Sequence, residues 1–454
     1  MIERLLDAAR RQVDGADAMW RREERTAVAF ESGRLKAAGV SEEAGINLRI
    51  LAGGRMGVAG TTSATPPPDP DALLTRARAS AELGEAVALE FPAPGTAPLP
   101  EIGTHVDRAA GAPLDALIAM GRRLVERLTR EGCQVNVMVE REIATTAVGN
   151  TAGARASYPT TGVAVTADLT RIAGDDVLII YDQYVDVDLP SDDELERLAR
   201  SIEERLEPAL RIVAPPDGAL PVVFTPAGLG AVLLPLEQAL SGKTVLQGTS
   251  PLGGKVGAQV FDPRLAITDD PLAPGRPGSR PIDDECVRSR PVALVERGIV
   301  GRFVYDLETA ARARTHSTGH GHRGIFGKPR IGYTNLILQA GADGVGARHA
   351  VPLPSSGGYP LGGGLLDGID DGLIVDDLIG VGQGNVIAGG FNHPVGLAYR
   401  VQRGAVTGRV KDAAVAGNAY DLLKRIGGVG TDGRWIGSRW SPSLLLEGVS
   451  VARR

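Results

Sequence analysis

Three of the six histidines fall within eight residues, Thr315-His316-Ser317-Thr318-Gly319-His320-Gly321-His322. Imidazole nitrogens are ordinary zinc ligands, so His-x-x-x-His-x-His could supply a metal site. Gly319 and Gly321 make the segment a loop, however, and a loop does not stack rings on one face as a helix does. Two readings follow: a three-histidine metal site, or a polar binding loop beside a cleft. His105, His349 and His393 stand alone and read as structural or surface residues. Carboxylates cluster at Asp269-Asp270 and at Asp283-Asp284-Glu285. Such groups do acid–base work only where the environment splits their pKa values, and the ordinary alternative is a solvated turn. The glycine runs Gly362-Gly363-Gly364 and Gly380-Val-Gly-Gln-Gly384 lack the Lys-Ser/Thr and the strand-to-helix context of a phosphate loop. No Gly-x-Ser-x-Gly elbow is present for serine hydrolysis.

The elements that must position these residues follow from length and pattern. A chain of 454 residues exceeds what one core supports, so two domains are expected, 1–214 and 215–454. The net charge of −6 and the lack of Lys/Arg clusters disfavour nucleic acid. Cys133 and Cys286 are too few for a disulfide framework, no apolar run reaches 18 residues, and a cytoplasmic location without membrane attachment is expected. Residues 2–14 show helical spacing, and 16–62 read as an antiparallel meander of short strands with Gly53-Gly54 in a hairpin turn. Helices are expected from Asp69-Pro70 to about Gly84, from Pro113 to Gly132, and after the capping box Ser191-Asp-Asp-Glu194. Val177-Leu-Ile-Ile180 is apolar enough for a central strand. Ile212-Val-Ala-Pro-Pro-Asp-Gly218 reads as the boundary, and the second half is mostly β in character.

Between the two halves lies Leu220-Pro-Val-Val-Phe224 and then Thr225 to Pro251, which reads as strand, turn, helix and second turn. That geometry sets a helix under an active site. Pro235 within Val232-Leu-Leu-Pro-Leu236 is expected to interrupt or kink the helix.

Over nearly its whole length the chain resembles the TldD/TldE family, also called PmbA or modulator of DNA gyrase. The resemblance is carried by Phe30-Glu-Ser-Gly-Arg-Leu-Lys36, Gly45-Ile-Asn-Leu-Arg-Ile50 and Gly57-Val-Ala-Gly60 in the first half. In the second half it is carried by Gly248-Thr-Ser250, Asp269-Asp-Pro271, Asp283-Asp-Glu-Cys-Val-Arg288, Val295-Glu-Arg-Gly-Ile299, Tyr305-Asp-Leu-Glu-Thr-Ala310, Ser317-Thr-Gly-His320 and Val429-Gly-Thr-Asp432. Their order and spacing make it specific. It implies an α+β fold, with an N-terminal α+β domain of antiparallel sheet and packed helices and a C-terminal β-rich, barrel-like domain. It also implies dimers enclosing a peptidase cavity.

The metal-bearing TldD type has His-Glu-x-x-x-His on the helix after the strand, with a further Cys near the C-terminus. Residues one and a half turns apart can reach one zinc while the Glu activates its water. Matching this chain through Gly230-Ala-Val-Leu-Leu234 places Pro235, Leu236 and Leu240 at those three positions, and no cysteine follows Cys286. The chain therefore resembles the TldE type, which implies no catalytic residue or cofactor of its own and a TldD-type, zinc-bearing partner in a heterodimer, with a homodimer as a further form. The substrate implied is a peptide or peptide-derived natural product, contacted by His316, His320, His322 and Arg323. Two alternatives stay open: an amide hydrolase of a small peptide-like metabolite with metal on His316, His320 and His322, and a peptide-binding scaffold without catalysis.

Overall fold

The structure is a computed structural model that describes residues 2–62, 69–340 and 364–454. His349 and most of the glycine segment at 357–364 lie outside the described residues. The fold is mixed α+β. The first half holds α1 (Ile2–Arg10), β1 (Gly15–Glu31), β2 (Arg34–Ala52), β3 (Arg55–Thr61), α2 (Pro70–Glu82), α3 (Asp107–Ala110), α4 (Leu114–Leu128), β4 (Cys133–Asn150), β5 (Arg155–Ala173), β6 (Asp176–Asp186) and α5 (Asp192–Ala209). Its six strands run β3-β2-β1-β4-β5-β6, antiparallel throughout.

The expected short strands are in fact long. The charged run Arg21 to Arg25 stays in β1 because cross-strand pairs hold it on both sides: Arg21 with Glu142, Arg25 with Glu140, and Arg22 with Glu42 at 2.9 Å. Gly53 and Gly54 both take positive φ at the β2–β3 turn, as the hairpin requires. Val177 to Ile180 does not form a central strand. β6 is the sheet's edge, with Val177 55% and Ile179 51% exposed on its outer face.

The Ser191 capping box closes as expected, with Glu194 N–H donating to Ser191 Oγ at 3.2 Å and Ser191 N–H to Glu194 Oε2 at 2.7 Å. α4 and α5 pack between the first sheet and the strands Gly218–Phe224, Asp371–Leu378 and Gly390–Gln402 of the second half, sharing one core with Val223, Ile374, Leu397 and Tyr399.

The second half holds β7 (Ile212–Val213), β8 (Gly218–Phe224), α6 (Gly230–Ala239), α7 (Gly242–Leu246), β9 (Leu265–Asp269), β10 (Val292–Glu296), β11 (Ile299–Val300), α8 (Leu307–Ala313), β12 (Gly321–His322), β13 (Arg330–Ile331) and β14 (Leu336–Ala340). After them come β15 (Asp371–Leu378), β16 (Gly390–Gln402), β17 (Ala405–Val410), β18 (Ala413–Asn418), α9 (Ala419–Leu422), β19 (Ile426–Val429), β20 (Arg434–Ile436), β21 (Arg439–Ser441) and β22 (Leu444–Arg453). Strands β15-β8-β22-β18-β16 close on themselves through the β15–β16 pairing, which makes a five-stranded barrel. β17 and β7 extend it, so Ile212 and Val213 already pack with the second half. A second sheet, β11-β10-β9-β14-β21-β20, lies beside the barrel.

Asp262 ties this half together. Its carboxylate accepts from Arg264 Nε at 2.9 Å and Nη2 at 2.8 Å, from Arg264 N–H at 3.0 Å and from Ile426 N–H at 3.0 Å. The Arg264 hydrogen bonds, working against burial, hold its pKa down at about 2. Because the folded value lies below the ordinary 3.8, this stability is complete above about pH 4 and is lost as pH falls toward 2. It is expected to amount to about 2 kcal/mol. In Asp262→Asn, urea denaturation at pH 5 and pH 2.5 should differ by correspondingly less than in the parent; an unchanged difference would count against the assignment.

Candidate functional site

β8 is apolar on both faces because it is a barrel stave, and its end fixes the start of α6. Thr225 N–H donates to Val375 O at 3.0 Å and its hydroxyl donates to Asp376 at 2.8 Å. The next turn must pass close to β15: a Cβ on Gly228 would lie 2.2 Å from Val375 O, so only glycine fits. α6 then runs unbroken from Gly230 to Ala239, with Pro235 inside it. The expected interruption does not occur. Proline costs the helix one hydrogen bond, to Ala231 O, but α6 is buried nearly all round and core packing offsets the loss. Pro235 O in turn accepts from Tyr420 Oη at 3.1 Å.

One face of α6, made of Ala231, Leu234 and Pro235, lines a cleft of about 510 Å³. Opposite stand the Ile379 to Gly384 loop and the first residues of β16, and the polar groups available are Gln383, Asn392, His393 and Arg454. His393, an isolated histidine in the sequence, therefore lies in the cleft. Its ring stacks on Phe391 with centroids 6.1 Å apart, and burial lowers its pKa. Leu236 and Leu240 face the other way, each 1% exposed in the barrel core.

The histidine loop lies elsewhere, where the two halves meet. His316 is exposed. His320 is fully buried, with Nδ1 3.1 Å from Thr318 O and Nε2 3.0 Å from Asp269 Oδ2, so both ring nitrogens already face protein partners. His322 lies against Arg280, 3.1 Å from Nη1 to Nδ1, and burial first and this cation second hold its pKa well below the usual range. Both Nη groups of Arg323 are taken by protein atoms: Asp17 at 3.0 and 2.6 Å, Asn47 at 3.3 Å and the Asp284 carbonyl. The three rings thus have three different surroundings.

The carboxylate clusters are not solvated turns. Asp269, Asp283 and Glu285 are fully buried and Asp284 nearly so. Asp283 accepts from the backbone of Glu285, Val287 and Gly321 at 2.8–3.0 Å and shapes the loop. A Cβ on Gly321 would lie 2.3 Å from Glu285 Oε2, so the loop approaches this closely only through glycine. Burial pushes both Asp283 and Glu285 up.

At the centre is Asp17 of β1, gripped from two sides. Arg49 of β2 donates through Nε at 3.1 Å and through Nη2, and Arg323 donates through both Nη groups. Arg49 Nη1 also reaches Glu285 Oε1 at 2.6 Å. Burial pushes Asp17 up, but Arg323 and Arg49 together pull it lower, to a net value below the ordinary one. Nothing in the local sequence around Asp17, Asn47 and Arg49 marks them as site residues by type. The available signal was alternation: in Ile46-Asn-Leu-Arg-Ile50 the polar residues share one face and the apolar ones the helix-covered other.

Among the described residues no group of three or more His, Cys, Asp or Glu side chains is placed to hold a metal ion. The α6 face toward the cleft offers carbon only, so the residues present do not fit a zinc site there. What the cleft can do is bind: glycine peptide groups, Asn392, Gln383 and a weakly basic imidazole suit a peptide backbone. Among the described residues no helix is long and apolar enough to cross a membrane.

Residues 217–453 match the family description PmbA/TldA metallopeptidase C-terminal domain, and residues 16–82 match PmbA/TldA metallopeptidase domain 1. A metalloprotease of Methanothermobacter thermautotrophicus is 28% identical over 243 residues, 53% of this chain and 49% of that protein. The metalloprotease TldD homolog of Haemophilus influenzae is 29% identical over 220 residues, 48% of this chain and 42% of that one. The chain thus spans about half the length of the curated relatives it matches. Among solved structures, TldE from Thermococcus kodakarensis has a TM-score of 0.85 over 99% of both chains at 23% identity, a likeness of fold.

Proposed function

The chain belongs to the PmbA/TldA metallopeptidase family, and on that premise we propose that it is the metal-ligand-less subunit of a two-chain TldD/TldE-type peptidase acting on peptides or peptide-derived natural products. One observation carries the reading. Where the metal-bearing type has His, Glu and His, this chain has Pro235 facing the cleft and Leu236 and Leu240 built into the barrel core. Proline and leucine neither bind zinc nor activate water, so the hydrolytic group must come from a TldD-type partner.

This chain's contribution is to bind and orient. An extended peptide in the cleft meets Gly380, Gly382 and Gly384, whose peptide groups can be approached closely, with Asn392 and His393 to hydrogen-bond its backbone. At the histidine loop, His316 is the exposed member and His322 is half-buried. His320 and Arg323 act through the loop they hold.

The test is to purify the chain alone and with a TldD-type subunit carrying His-Glu-x-x-x-His, and to assay an unstructured peptide and the zinc content of each. Expected are substoichiometric zinc and no cleavage alone, with a stable zinc-bearing complex and cleavage in the pair. Failure to form a complex, with the partner equally active by itself, would refute the proposal. Stoichiometric metal on the lone chain would favour the amide-hydrolase alternative, and peptide binding without turnover in the pair would favour the scaffold.

A further inference from the structure

The loop wall of the α6 cleft has few ties to the rest of the molecule. From Gly380 to Ala388 its backbone hydrogen bonds, among the described residues, run within the loop: Gln383 N–H to Gly380 O at 3.2 Å, Val386 N–H to Gly384 O at 3.1 Å and Ala388 N–H to Asn385 O at 3.3 Å. Gly380, Gly382 and Gly384 take positive φ, residues 382–385 are exposed, and only Val381 and Ile387 pack partly on the barrel core. At the near end Ile379 N–H donates to Pro394 O at 2.9 Å. A segment with so few outside bonds opens at small cost, so whatever fastens its far end sets the width of the cleft.

That fastening comes from α9. Asn418, which caps α9, donates to Ala388 O at 3.0 Å and accepts from Tyr420 N–H at 3.0 Å, while Ala419 N–H donates to Gly389 O at 2.8 Å. Tyr420 reaches both walls. Its hydroxyl oxygen lies 2.8 Å from Ile387 O, in the turn whose Val386 lines the cleft, and 3.1 Å from Pro235 O of α6. One proton is thus shared between a carbonyl of each wall, and burial raises the pKa of the phenol, which keeps that proton in place. The side chain is only 9% exposed. Gly389, at φ +80°, lets the ring in, since a Cβ there would lie 2.4 Å from it.

We infer that Tyr420 is a positioning residue that ties the loop wall of the cleft to α6 and so fixes how large a side chain of a bound peptide fits between them. Leu234 and Pro235 on one wall and Val381 and Val386 on the other make that seat apolar. The size selection rests on the cleft being the peptide site, as proposed above; the tie between the walls does not.

Tyr420→Phe removes the hydroxyl and keeps the ring. Tyr399→Phe is its control, because Tyr399 Oη also donates to a buried carbonyl, Arg205 O at 2.7 Å, but in the core between the halves. Hydrogen exchange of the full chain is expected to quicken about tenfold across residues 379–389 in Y420F, the factor that one lost hydrogen bond supplies, and to keep the parent rate there in Y399F. Two unstructured peptides that differ only by Ala or Phe at one position give the functional readout. The ratio of their Kd values on the purified chain should move about fivefold in favour of Phe in Y420F and stay put in Y399F.

Unchanged exchange at 379–389 in Y420F would overturn the inference. So would a Kd ratio that holds still while the parent binds both peptides, or an equal shift in Y399F, which would mark the effect as general loosening. A parent that binds neither peptide, with the loop still quickened by Y420F, would support the tie between the walls and overturn the peptide reading of the cleft instead.

Discussion

Asp17→Asn is expected to lower the free energy of unfolding by roughly 3–5 kcal/mol, the scale seen when one partner of a buried ion pair is removed. Asparagine keeps the shape of the side chain and removes only the charge, yet that charge is what two guanidinium groups were desolvated to meet. Arg49 and Arg323 are 1% and 0% exposed at their side chains, and Asp17 is the carboxylate both of them grip. Without it, Arg49 keeps Glu285, while Arg323 keeps only Asn47 and the Asp284 carbonyl. The asparagine amide would also turn N–H groups toward cations. Urea denaturation followed by far-UV circular dichroism measures the loss, and a change below about 1 kcal/mol would show that the site relaxes or admits water. Because Asp17 and Arg49 come from the first half and Arg323 and Glu285 from the second, hydrogen exchange should quicken first in the 283–287 and 320–323 segments.

Leu236→Glu should be of similar size, on the order of 4 kcal/mol, since it removes a packed leucine and puts a carboxylate in its place. Leu236 is 1% exposed among barrel side chains. Pro235→His should be mild by comparison, because that residue lines the cleft and loss of the proline returns a helical N–H to Ala231 O. Writing His-Glu-x-x-x-His back into α6 as P235H/L236E/L240H is therefore expected to give a destabilised chain without peptidase activity. Thermal unfolding, zinc analysis and a peptide assay of the triple variant decide this. A stable triple variant with stoichiometric zinc and turnover would mean that α6 can rotate its buried face into the cleft, and the two-chain reading would lose its support.

The two experiments probe different parts of the molecule. The charged centre between the halves holds the histidine loop in place, whereas Pro235 of α6 lines the cleft. The function proposed above has the peptide meet both the cleft and the loop. Loss of Asp17 should then weaken peptide binding through loop disorder, whereas changes at Pro235 should act in the cleft directly.

Features set by neighbours along the chain are legible in the sequence itself. The Ser191 capping box, the Gly53-Gly54 hairpin, the order of helices and strands, and the strand–turn–helix at 218–239 all depend on residues within a few positions of one another. The side chains at 235, 236 and 240 are likewise a matter of residue type alone: proline and leucine carry no metal-binding group. Burial and charge partnership depend on segments far apart. Val177 and Ile179 look central by composition and lie on an edge, because strand order is set by which sheets and helices meet. Pro235 is a helix breaker by local propensity and sits within a helix, because packing all around α6 outweighs one lost hydrogen bond. Asp283-Asp284-Glu285 has the composition of a solvated turn and is buried, because Arg49 and Arg323 reach it from residues 236 positions upstream of Glu285 and 39 downstream of Asp284. Local rules set the elements and the side chains α6 carries; only tertiary contact, by removing water and supplying distant counter-charges, decided which polar residues hold the fold together and which face the cleft.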